Sequence, residues 1–84
     1  MNPADLAETV YAVIREQAAT PDTTILPDTP LGPDGLGIDS VGCLEIVLEL
    51  ERRTGISLRD EHLTAESLAT PSGLVRLLEQ AGRA

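Results

Sequence analysis

Apolar residues recur at helical spacing in three stretches of this chain, separated by stretches with no such period. Leu6, Val10, Val13 and Ile14, with Ala7, Tyr11 and Ala18 widening the stripe, predict an amphipathic helix over about 3–19. Asn2 and Pro3 suit its N-cap and first helical position, Asp5 and Glu8 its positive end, and Thr20-Pro21-Asp22 its stop. A second helix is expected over about 40–53, capped by Asp39 and closed by Gly55. Arg52 and Arg53 fall in its last turn, where the dipole is negative, and Glu49–Arg53 is an i,i+4 pair in the better orientation. Thr70-Pro71 opens a last helix over about 71–80 with Leu74, Val75, Leu77 and Leu78 on its apolar side. Between these two, residues 60–66 predict a short helix anchored by Leu63, and 81–84 read as a flexible tail. No strand pattern or internal repeat is present. The expectation is an all-α domain spanning 1–84, a small bundle of three main helices plus one short one.

Residues 20–38 make a long connection carrying Pro21, Pro27, Pro30 and Pro33 together with Gly32, Gly35 and Gly37. Loops of this length are uncommon in a compact domain unless functional. The spaced Ile25, Leu26, Leu31, Leu36 and Ile38 predict a loop pinned to the core.

The second helix is too apolar for a bundle helix. With Ser40 at zero, Ile46, Leu50, Cys43 and Val47 occupy roughly 240–340° of its wheel, and Leu44, Leu48 and Val41 continue to roughly 100°. The apolar sector thus spans about 220°, where a core stripe needs little more than about 100°. The surplus edge of Val41, Leu44 and Leu48 lies on the side of Ser40, bordered by Glu45 and Glu51. A core face plus an exposed apolar strip rimmed by carboxylates, beside a serine presented at a helix start, is a docking surface.

Composition narrows what can dock. Fourteen Asp and Glu against six Arg and no Lys leave a formal charge of −8, which argues against nucleic acid and anionic membranes and for partners with basic patches. With one Tyr and no Phe or Trp the core must be aliphatic, and the single Cys excludes a disulfide framework or a multi-cysteine metal site. No apolar run approaches a membrane span and the N-terminus lacks the regions of a signal peptide, so the cytoplasm is expected, and small size with high charge predicts a monomer. Asp34 and Glu45 are spaced like the first and twelfth positions of a calcium loop, but Leu36, Ile38 and Asp39 stand where it needs oxygen ligands and glycine. Cys43 falls on the core arc without an adjacent histidine, which favours a small apolar role over a nucleophile. His62 is expected in solvent. As the single histidine, distant in sequence, it gives a hydrolase reading of Ser40 no base.

Asp39-Ser40-Val41, Leu44-Glu45-Ile46-Val47, Leu50-Glu51 and Gly55-Ile56 closely resemble the Asp-Ser-Leu signature and recognition helix of acyl carrier proteins. The similarity extends upstream through Leu31-Gly32 and Leu36-Gly37 and downstream through Ile56-Ser57-Leu58 and the final helix. It implies a non-catalytic carrier. Ser40 would hold a 4′-phosphopantetheine arm, transferred from coenzyme A by a magnesium-dependent phosphopantetheinyl transferase, and Asp39 would help seat that transferase. The arm's thiol would carry acyl or aminoacyl groups as thioesters to enzymes that recognise Val41, Leu44, Glu45, Leu48 and Glu51.

Gly42 stands where fatty-acid carriers commonly have an acidic residue, Arg52 replaces another such residue, and Thr54 replaces an aromatic. Within the resemblance, these departures favour a free-standing carrier of polyketide or mixed polyketide–peptide biosynthesis. Gly37-Ile38-Asp39-Ser40 sits nearer the acyl than the peptidyl type. The alternative is an unmodified helical adaptor of the same fold, binding partners through the same strip.

Overall fold

A computed structural model of the chain describes residues 3–18, 24–59 and 62–82. Three helices form among them: α1 (Pro3–Gln17), α2 (Ser40–Thr54) and α3 (Pro71–Gly82). No strand occurs among the described residues. Helix α1 is the common partner, packing against both α2 and α3, which touch each other far less. Its buried stripe of Leu6, Val10, Val13 and Ile14 is the one that periodicity predicts. Leu74, Leu77 and Leu78 face it from α3, and Ile46, Val47 and Leu50 from α2. The core is entirely aliphatic. Tyr11 lies half buried at its edge.

The ends of α2 form as the sequence predicts. Asp39 is extended and caps the first turn, while Gly55 closes the last with φ 72° and ψ 8°, its N–H donating to the Glu51 carbonyl at 2.9 Å. That left-handed backbone strains any residue with a Cβ. Helix α1 ends at Gln17 with one further bond, from Ala18 N–H to the Ile14 carbonyl. Asn2, Ala19 and Thr20-Pro21-Asp22, where its cap and stop were expected, lie outside the described residues.

The short helix and the tail differ from expectation. No α-helix forms among the described residues of the 60–66 stretch. Past His62, which is in 3₁₀ conformation, the backbone makes turns, with Leu68 N–H donating to the Thr64 carbonyl at 3.1 Å. Ser67 explains the turns: its N–H donates to Thr64 Oγ1 while its own Oγ takes the Thr64 N–H and donates to the His62 carbonyl. Such local side-chain bonds offer the backbone an alternative to helix. Asp60 and Glu61 lie outside the described residues. At the other end α3 continues through Gly82, because Ala81 falls on its apolar side and is buried in the core. Of the expected tail, only Arg83 and Ala84 remain, outside the described residues.

The long connection is sewn down from 24 to 39. Ile25, Leu31, Leu36 and Ile38 are buried, as predicted. Leu31 N–H donates to the Ala69 carbonyl at 2.9 Å, Ser72 N–H to the Pro27 carbonyl at 2.9 Å, and Ile38 N–H back to the Leu31 carbonyl at 2.8 Å. The loop therefore runs from the entrance of α3 to the start of α2. Leu26 departs from the prediction, with 54% of its surface exposed. Its N–H donates to Thr29 Oγ1 in a local turn that directs the neighbouring Ile25 inward.

Replacing Leu50, fully buried, by Ala is expected to cost about 2–5 kcal/mol in urea unfolding, whereas Leu44→Ala, on the exposed side of the same helix, stays within about 0.5 kcal/mol.

Candidate functional site

The first turn of α2 presents Ser40. Asp39 holds that turn: its Oδ1 accepts from Gly42 N–H at 2.7 Å, and its carbonyl accepts the first helical bond, from Cys43 N–H, at 2.9 Å. Ile38, buried and bonded to Leu31, fixes the chain just before it. Ser40 is thus an exposed hydroxyl on a backbone pinned from both sides. The chain's single histidine makes its hydrogen bonds elsewhere. His62 belongs to the segment between α2 and α3, where its Nδ1 accepts from Arg59 N–H at 3.3 Å and its carbonyl from Ser67 Oγ. It is half buried there, not in solvent as expected. Cys43, one turn from Ser40, is half buried against the core. Burial, and secondarily the Asp39 charge, pushes its thiol up, so it stays protonated and inert.

Beside Ser40 the apolar surplus of α2 emerges where the wheel puts it. Val41, Leu44 and Leu48 are exposed over 63%, 55% and 56% of their surfaces, while Ile46, Val47 and Leu50 on the opposite arc are buried. Contiguous exposed apolar surface rimmed by polar groups marks an interaction site. Glu45 is exposed on this rim. Glu51 stands differently: it is half buried, and its Oε2 accepts from Leu58 N–H at 2.8 Å, tying down the segment that follows α2. The sequence offers no signal for this, since the bond spans a chain reversal.

On the far side of α2, Glu49 accepts from Arg52 and from Arg53, the latter at 2.6 Å as the i,i+4 spacing predicts. Arg53 also reaches across to Glu16 of α1 at 2.7 Å, a contact the local spacing could not reveal. Hydrogen bonds from Arg52 and then Arg53 hold the Glu49 carboxyl down at about 2. Two open surface hollows, of about 280 and 320 Å³, lie between the segment after α2 and the face of α3, lined by His62 in common and by Arg76 and Gly82 respectively. Neither is lined by Ser40. Among the described residues no group of acidic, His or Cys side chains could hold a metal, and no helix is long and apolar enough to cross a membrane.

Residues 8–78 match the family model described as a phosphopantetheine attachment site. The acyl carrier protein of Thermosynechococcus vestitus is 30% identical over 70 residues, covering 83% of each chain. That of Helicobacter pylori is 31% identical over 74 residues, 88% of this chain and 91% of its own. The chain belongs to the acyl carrier protein family. A further relative, the chloroplastic acyl carrier protein 1 of Casuarina glauca, is 33% identical over 76 residues, 90% of this chain and 54% of its own. Acyl carriers are not enzymes. Their cofactor is 4′-phosphopantetheine, held covalently, and they work with a phosphopantetheinyl transferase and with acyl-handling enzymes. The geometry of α2 fits such a group, because an exposed serine on a fixed backbone beside an uncovered apolar strip leaves room for both an arm and the enzyme that adds it.

The Glu49 network predicts an acid-sensitive component of stability. A carboxyl depressed from its ordinary 4.5 to about 2 stabilises the fold fully above 4.5 and loses that contribution as pH falls toward 2. In urea unfolding at successive pH values, the deficit of Glu49→Gln against the unsubstituted chain should be constant above pH 4.5 and shrink below it.

Proposed function

We propose that Ser40 is the attachment point and that this chain carries acyl or aminoacyl intermediates between the enzymes of polyketide or mixed polyketide–peptide biosynthesis, in the cytoplasm. The observation that carries this reading is the exposed Ser40 at the Asp39-capped start of α2, with Val41, Leu44 and Leu48 uncovered beside it. In the loading step Ser40 Oγ forms a bond to the β-phosphorus of coenzyme A. The diphosphate P–O bond breaks, adenosine 3′,5′-bisphosphate leaves, and the hydroxyl proton passes to a base that the transferase supplies. When bound, the arm supplies a thiol that holds the cargo as a thioester and raises its effective concentration at each partner site.

Asp39 keeps the serine turn formed and adds a carboxylate beside it for the transferase. Val41, Leu44 and Leu48 offer apolar contact area to partners with basic docking patches, and Glu45 offers charge, which tunes encounter and choice of partner. Glu51 supports this surface from behind, through its bond to Leu58. The pathway assignment is supported by the charge pattern. Gly42 adds no carboxylate next to Ser40, and Arg52 puts an exposed guanidinium, drawn onto Glu49, where fatty-acid carriers commonly have an acid.

Incubated with coenzyme A, magnesium and a broad-specificity phosphopantetheinyl transferase, the chain should gain the mass of one phosphopantetheine, and Ser40→Ala should gain none. A folded chain that gains no mass would leave the unmodified adaptor as the better reading. Once loaded, Glu45→Lys should lower kcat/KM with a polyketide acyltransferase about tenfold, a change of about 1.4 kcal/mol, while leaving the helical circular dichroism intact. An equal rate for the two would remove Glu45 from the recognition surface.

A further inference from the structure

Gly42 is pressed from two sides. A Cβ built on it would stand 2.7 Å from Cγ2 of Ile38 and 3.3 Å from Oδ1 of Asp39, with Oε1 of Gln17 at 3.9 Å. Carbon atoms in contact settle at roughly 3.5–4.0 Å, so the first distance demands movement. Ile38 has little freedom to give way: it is buried, its N–H is bonded to Leu31, and the methyl in question branches from its Cβ, where rotation is most restricted. Asp39 cannot retreat without stretching the 2.7 Å bond it accepts from the N–H of Gly42 itself.

Gln17 is the last residue of α1, Ile38 and Asp39 close the long loop, and Gly42 lies in the first turn of α2. The bare Cα is therefore where three parts of the molecule converge. Ser40 sits between the two residues that press on it and the residue they press against. A side chain at 42 would be accommodated by lifting Ile38 or by tilting the first turn, and either displaces Ser40. Helix propensity argues the opposite way, since glycine is the weakest helix former after proline. A steric demand accounts for its presence here.

We propose that in this chain, where Ile38 takes the space a side chain at 42 would need, Gly42 is a positioning residue for the modification of Ser40: its missing side chain lets Ile38 and Asp39 clamp the first turn of α2, which sets the Ser40 hydroxyl in the orientation a phosphopantetheinyl transferase takes up. This rests on Ser40 being the attachment point.

The test is the rate of phosphopantetheine transfer from coenzyme A, followed by intact mass at varied carrier concentration and at a temperature where circular dichroism shows each variant folded. Gly42→Ala should lose about tenfold or more in kcat/KM, the scale expected of a displaced reacting group. Ile38→Leu, which moves the offending methyl off the Cβ and keeps the volume, supplies the baseline rate against which the double variant is read. Ile38→Leu/Gly42→Ala should recover to within about threefold of Ile38→Leu alone, as expected when a clash between two contacting residues is removed. Because every variant is assayed folded, this rescue reports the position of Ser40 and not the amount of folded chain.

A folded Gly42→Ala modified at the unsubstituted rate overturns the proposal, and so does a defect that persists in the double variant. If Gly42→Ala alone does not fold, Ile38→Leu and the double variant decide by the same comparison. An unsubstituted chain that takes no phosphopantetheine at all overturns the Ser40 reading itself, an outcome distinct from equal rates in the two chains.

Discussion

Ile46, Val47 and Leu50 bury one arc of α2 in the core built around α1, and that burial fixes the rotation of α2 about its own axis. Everything functional on the helix follows from this angle. With the arc turned inward, Val41, Leu44 and Leu48 have no neighbour to cover them. Cys43 falls at the boundary, half covered, and Ser40 points away from the core at the end of the helix. A rotation by one residue would bury the strip and expose the core arc. The aliphatic composition matters here, because a core without Phe or Trp gains its stability from many small contacts and tolerates little misfit.

The two ends of the helix are held by different means. At the start, the Asp39 cap and the buried Ile38 set the backbone before and after Ser40. At the finish, the left-handed Gly55 turns the chain and Glu51 catches it at Leu58. Along the outer side, Glu49 gathers Arg52 and Arg53, and Arg53 reaches Glu16 on α1. Two of the chain's six positive charges are thus drawn onto carboxylates at the far end of α2, leaving its serine end acidic and apolar. Exposed pairs of this kind add little to stability individually. Their effect is to draw both guanidiniums onto Glu49 and Glu16 and so to shape the local field of the helix, within the roughly 8 Å over which charges act at physiological salt.

Local rules acting within a few residues determined much of this from the sequence alone. The three main helices, the Asp39 cap, the Gly55 stop and the Glu49–Arg53 pair all rest on spacings of four residues or fewer. The strip of Val41, Leu44 and Leu48 was legible because a helix wheel converts spacing directly into direction, and an arc of about 220° cannot be buried in a small bundle. Resemblance to acyl carriers was strongest on the same stretch and extended on both sides of it.

What tertiary structure alone decided lies wherever a residue meets something distant in the chain or has two local options of similar strength. Glu51 looks like a rim carboxylate until the chain reverses and brings it the Leu58 N–H. Glu16 has no visible partner until α1 lies beside α2. Leu26 and Ile25 are equally apolar, and only the hydrogen bonds of the loop choose which is buried. Residues after Ile56 carry both helical and turn signals, and the Thr64–Ser67 bonds tip the described part of them to turns. Ala81 joins the helix because the core is there to receive it. The crowding at Gly42 is of the same kind: a glycine's meaning is set by what approaches it, and a sequence records the space left empty without recording what surrounds it.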